Sequence, residues 1–169
     1  MQQNQDNNIE VKNRIIDFLV KNKKLIISFL IIAIVIISSL IFIKIKNDKK
    51  NELISEKYIE AGIYLSNKEI NKSIKIYDEI ILSKNKFYSI LALNALIEKN
   101  LIEDKDKMLN YFEIIEDLKI DKDRRDLLLL KKALYLKKYS SSEESEKLLR
   151  KLIDTDTKLK EIVEEILSN

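Results

Sequence analysis

The 169-residue sequence has no Cys, His, Trp or Pro, and its only glycine is Gly62. Each absence removes a class of chemistry. Without Cys and His there is no thiolate nucleophile, no thiolate or imidazole metal site and no Ser-His-Asp triad. A single glycine cannot build a glycine-rich phosphate loop. Carboxylates remain as chemical actors, and their densest clusters are Glu143-Glu144 and Asp104-x-Asp106. Both lie beside lysines in charge-rich stretches and read as solvated helix ends. The composition therefore describes a protein that is not an enzyme, needs no cofactor or metal, and has no small-molecule substrate. Zero Cys also means no disulfide, which neither requires nor forbids an oxidising compartment.

Charge is absent from one long run as well. Between Lys24 and Lys44 lie 19 uncharged residues, Leu25 to Ile43, of which 15 are Leu, Ile, Val or Phe. As a helix the run is roughly 28 Å long, close to the ~30 Å hydrocarbon core of a bilayer. Its polar members are Ser28, Ser38 and Ser39, whose hydroxyls can bond backwards to helix carbonyls. A core helix of a soluble protein rarely stays apolar on every face over this length. A cleaved signal peptide would have a shorter apolar core ending in small residues. Here the run continues into Lys44-Ile45-Lys46-Asn47-Asp48-Lys49-Lys50, which offers no such cut. The segment reads as a transmembrane anchor over 25–43, preceded by a tail over 1–24 and followed by a basic juxtamembrane linker over 44–50.

Orientation does not follow from charge. Lys12, Arg14, Lys21, Lys23 and Lys24 precede the anchor, and Lys44, Lys46, Lys49, Lys50 and Lys57 follow it, five on each side. Up to Lys46 there are 7 basic and 3 acidic residues, a net of +4; beyond it there are 24 basic and 25 acidic, a net of −1. The basic excess thus flanks the membrane, where it suits anionic lipid headgroups, and the rest of the chain lacks the footprint of a nucleic-acid binder.

From residue 51 onward apolar residues recur at spacings of three and four, which predicts an all-α domain over 51–169. Helices are expected at 51–66, 68–84, 87–99, 104–118, 123–139, 142–153 and 157–167. Asn67, Ser142 and Asp156 are the expected caps. The helices pair in a tetratricopeptide-like pattern, with about three degenerate repeats and a terminal helix. Tyr58 with Gly62, then Ser73 and Tyr77, fit the first unit. Tyr88 with Ala92, then Met108 and Phe112, fit the second. Ala133, then Ser145 and Leu149, fit the third. Gly62, Ala92 and Ala133 would let backbones approach, with the lone glycine at the tightest contact, while Tyr77, Phe112 and Leu149 fill the space between layers. A generic antiparallel helical bundle is the other architecture open to this pattern.

The whole arrangement resembles the ancillary SecYEG translocon subunit family, single-pass bacterial inner-membrane proteins with a tetratricopeptide-like periplasmic domain. It is most similar to the alphaproteobacterial branch. The resemblance rests on the short charged tail, the anchor, Tyr58-x3-Gly62 with Lys72-Ser73-Ile74, and the stretch from Arg124 to Leu136, RRDLLLLKKALYL. It implies a cytoplasmic N-terminal tail, a periplasmic domain, and a binding role beside the protein-export channel, with periplasmic chaperones or exported chains as protein partners. A scaffold for envelope assembly or cell division is the alternative. Carrying the repeat positions over places Ile59, Ile63, Ser89, Leu93, Leu96, Leu130 and Leu134 on a concave protein-binding face. That face is either an open groove for an apolar or amphipathic segment or is filled by the last helix.

Overall fold

The computed structural model describes Arg14 and residues 21–168. The tail expected over 1–24 lies mostly outside the described residues. Among the described residues seven helices follow in order from residue 23: α1 (Lys23–Ser66), α2 (Ile70–Leu82), α3 (Tyr88–Glu98), α4 (Lys105–Glu116), α5 (Lys122–Tyr139), α6 (Ser142–Asp154) and α7 (Lys160–Ser168). Among the described residues there is no strand, so the fold is all-α.

The chain divides into two compact units between Lys50 and Asn51. In the first, α1 is long and apolar enough to cross a membrane. None of its described side chains between residues 25 and 50 is buried. Ser39 turns its hydroxyl back onto the Val35 carbonyl at 2.8 Å, which satisfies the group within the helix. The expected linker over 44–50 is helical throughout. The stretch has neither Gly nor Pro, and Asn47 and Asp48 each cost a helix at most about 0.7 kcal/mol, so nothing in it ends the helix.

In the second unit, residues 51–66 of α1 bury Ile54 and Ala61, with Tyr58 between them, one stripe at spacings of four and three. Lys57 pairs with Glu79 at 2.6 Å, Tyr58 meets Tyr77 at 5.8 Å, and Ser73 donates to the Ala61 carbonyl at 2.9 Å. As the first number rises the second falls, so this part of α1 and α2 run antiparallel. The close approach falls at Ala61 and not, as expected, at Gly62, where an added Cβ would meet nothing within 4 Å.

Two apolar clusters hold the unit together. The larger joins Ile54 and Ala61 to α2, α3 and α4 through Tyr77, Ile80, Leu93, Leu96, Met108, Phe112 and their neighbours. The smaller contains Leu130, Ala133, Leu149, Leu152 and Val163. Helix α5 serves both, because Leu128 and Tyr135 lie on nearly the opposite side of it from Leu130 and Ala133 at 100° per residue.

Helices end here without glycine. Lys68, Lys84, Asn100 and Asp156 take positive φ, between 49° and 63°. At Lys68 the Glu69 amide reaches the Tyr64 carbonyl and the Lys68 amide that of Leu65; Leu101 and Asn100 make the same pair of bonds to Leu96 and Ile97. The caps differ from expectation. Asp104, Asp121 and Ser141 accept from the amides of Lys107, Arg124 and Glu144. Asn67 caps nothing, because Glu69 precedes α2. Ser142 is already helical, and Asp156 is one of the left-handed positions, four residues ahead of α7. Asp104 thus acts at a helix start, and Glu143 and Glu144 occupy the first turn of α6, where they favour the helix dipole.

Candidate protein-binding groove

Between α3 and α5 lies a cleft of about 270 Å³, lined by Asn94, Ile97, Glu98, Lys131, Leu134, Tyr135, Lys138 and Tyr139. Both walls follow from helical spacing. On α3, Ala92, Leu93 and Leu96 turn into the larger cluster and Ile97 packs at its edge, which leaves Asn94 and Glu98 on the face beyond it. On α5, positions 131, 134, 135 and 138 recur at spacings of three and four and form one stripe.

Polar links set the width. Lys131 Nζ donates to Asn94 Oδ1 at 2.6 Å, and the Tyr139 hydroxyl donates to Asn100 Oδ1 at 3.1 Å. Below them is an aromatic floor: Tyr135 packs on Tyr139 with ring centroids 4.9 Å apart, and on Phe112 at 6.0 Å. Lys138 holds its ammonium 4.7 Å from the centre of the Tyr139 ring, a cation–π contact. Burial pushes the Tyr135 phenol above its ordinary pKa, with neighbouring Tyr139 and Asp104 adding to the effect, so it stays a neutral donor.

Only one of the seven expected groove residues, Leu134, lines this cleft. Ile59 and Ile63 are exposed on α1, and neither lines the cleft. Ser89 is buried and donates to the Ile80 carbonyl at 2.9 Å, tying α2 to α3. Leu93 and Leu96 are fully buried in the larger cluster, so they belong to the core and not to a binding face. Leu130 is buried with Val163 of α7 in the smaller cluster, the filled arrangement that was the other expectation for this face. Of the expected packing residues, Tyr77, Ala92, Phe112, Ala133 and Leu149 are buried, and Tyr58 and Tyr88 are half-buried with rings 6.0 Å apart.

The rest of the lining escaped the sequence reading, although one signal was present. In the run Leu91-Ala92-Leu93-Asn94-Ala95-Leu96-Ile97 the single polar residue is Asn94, which marks the side that leaves the core. No group of three or more carboxylates able to hold a metal ion occurs among the described residues. No protein-family model matches the chain, and neither a curated protein nor a solved structure does.

Proposed function

We propose that the chain is a single-pass membrane protein whose helical domain holds other proteins in the groove between α3 and α5, acting by binding and not by chemical conversion. The observation that carries the reading is the groove itself: an apolar, aromatic floor crossed by a few fixed donors, the composition of a recognition surface. The described residues of the 25–43 run of α1, predominantly apolar and none of them buried, support the anchor. A tether concentrates a weak binder where its partners emerge, which raises occupancy without new contacts. The helix pairs are read as tetratricopeptide-like repeats, with Ser73 on the Ala61 carbonyl and Ala92 and Ala133 fully buried in support.

The export channel as the place of action rests on the family resemblance. Of the stretch that carries it best, Arg124 to Leu136, Lys131, Leu134 and Tyr135 line the groove, while Leu128, Leu130, Ala133 and Leu136 are buried. The same resemblance puts the domain in the periplasm. A phosphatase fused after Asn169 is then active; an inactive fusion beside a fluorescent cytoplasmic reporter at the same point reverses the orientation.

A photo-crosslinking residue at Leu134 of the full chain in native membranes tests the partner. Export-channel subunits, periplasmic chaperones or exported chains among the adducts support the proposal. Envelope-assembly or division proteins favour the scaffold, and the absence of any protein adduct refutes groove binding.

A further inference from the structure

The groove's charge narrows what it can hold. Two ammonium groups, Lys131 and Lys138, and one carboxylate, Glu98, line it, a local net of +1 in a domain that is otherwise close to neutral. Among the described residues neither lysine has a carboxylate partner. Lys131 is half-buried and its hydrogen bond goes to the neutral amide of Asn94; Lys138 rests on the Tyr139 ring. Elsewhere in the domain Lys57, Lys132 and Lys158 each meet a carboxylate at 2.6 Å. A third donor stands between the two lysines. Tyr135 is 6% exposed, and its hydroxyl has no hydrogen-bond partner among the described residues. The Tyr135 hydroxyl, which still reaches solvent at the groove, is free to donate, and a partly desolvated ammonium bonded only to an amide gains most from an ionised oxygen.

Resting on the binding role proposed for this groove, we infer that its occupant is an amphipathic segment that brings carboxylates to Lys131 and Lys138 and lays aliphatic side chains on Ile97, Leu134 and the Tyr135 and Tyr139 rings. The two lysines are seven residues, two helical turns, apart on α5, which spaces the carboxylates by roughly 10 Å. A helical segment presents that spacing with Glu or Asp at i and i+7 and leucine-like residues between them. Glu98, exposed at the rim, disfavours a segment whose acidic residues are packed more densely.

The test uses the full chain in nanodiscs of zwitterionic lipid and a labelled amphipathic helical peptide with two glutamates two turns apart and leucines between them. A second peptide carries lysines in place of the glutamates. The glutamate peptide should bind about tenfold or more tightly than the lysine peptide, and added salt should weaken it. The Lys131→Gln/Lys138→Gln variant should lose about tenfold of that affinity and Tyr135→Phe severalfold, with helical circular dichroism and melting unchanged in both. Equal binding of the two peptides, binding of neither, or a Lys131→Gln/Lys138→Gln variant as tight as the parent overturns the inference. If it fails while Leu134 still yields protein adducts in membranes, protein binding stands and only the acidic class is wrong; loss of those adducts removes the binding role itself.

Discussion

Ala61 and Gly62 show how a single residue decides a register. Both are small and adjacent, so composition alone could not say which faces α2, and the Tyr58-x3-Gly62 spacing favoured the wrong one. The Ser73 hydroxyl on the Ala61 carbonyl identifies the contact. Gly62 then carries only the entropic cost of a glycine inside a helix, with open space where its Cβ would be. Gly62→Ala is expected to stabilise the domain by about 0.5–1 kcal/mol in urea unfolding, and a loss of stability would restore the glycine to a packed contact. Leu93 and Ile63 were expected to share a face and do not. Leu93→Glu buries a charge without a partner and should cost several kcal/mol, whereas Ile63→Glu, on an exposed position, should stay within about 0.5 kcal/mol. Similar melting temperatures for the two variants would contradict the separation.

Among elements, the existence of α2 to α7 was legible from apolar spacing, and their ends were not. Period reports which side of a helix is buried, but an end depends on one side chain meeting one amide. Ser141 and Ser142 are indistinguishable by type, and only the structure shows the first accepting from Glu144. Asn67 looked like a cap because Asn usually sits at such places; here α1 closes through the left-handed Lys68 instead. Asp104→Ala, Asp121→Ala and Ser141→Ala should each cost about 1 kcal/mol, and Asn67→Ala and Ser142→Ala less than about 0.5 kcal/mol, in equilibrium unfolding. A reversed order would show the caps to be misplaced. Helix α5 is buried on two opposite sides, which hides its free face from the apolar spacing. That also displaced the groove: its lining uses the positions left over between two cores, and of the repeat positions carried over by analogy Ser89, Leu93, Leu96 and Leu130 fell in buried packing, Ile59 and Ile63 on an exposed face and only Leu134 in the groove.

For the whole domain, the buried phenols set an alkaline limit. Burial holds the Tyr111 phenol well above its ordinary value near 10, aided by its hydrogen bond to Asp78 at 2.7 Å; Tyr77 and Tyr135 are raised in the same direction, chiefly by burial. The folded state therefore keeps these protons at a pH where the unfolded chain has begun to lose them. The stability linked to them is complete below about pH 10 and declines as pH rises beyond it. Urea midpoints should fall between about pH 9 and about pH 11, and less steeply in Tyr111→Phe. Equal slopes in the two proteins would show that Tyr111 ionises as freely folded as unfolded.

The proposed binding role rests on the cleft between α3 and α5. A positional crosslinking scan in native membranes tests it most directly, with the photoreactive residue placed in turn at Asn94, Leu134 and Lys138 and at the exposed Ile59, Ile63 and Leu82 outside the cleft. A common protein adduct is expected from the first three positions and none from the others. Adducts from Ile59 and Ile63 with silence at Leu134 would contradict it and move the binding surface to α1.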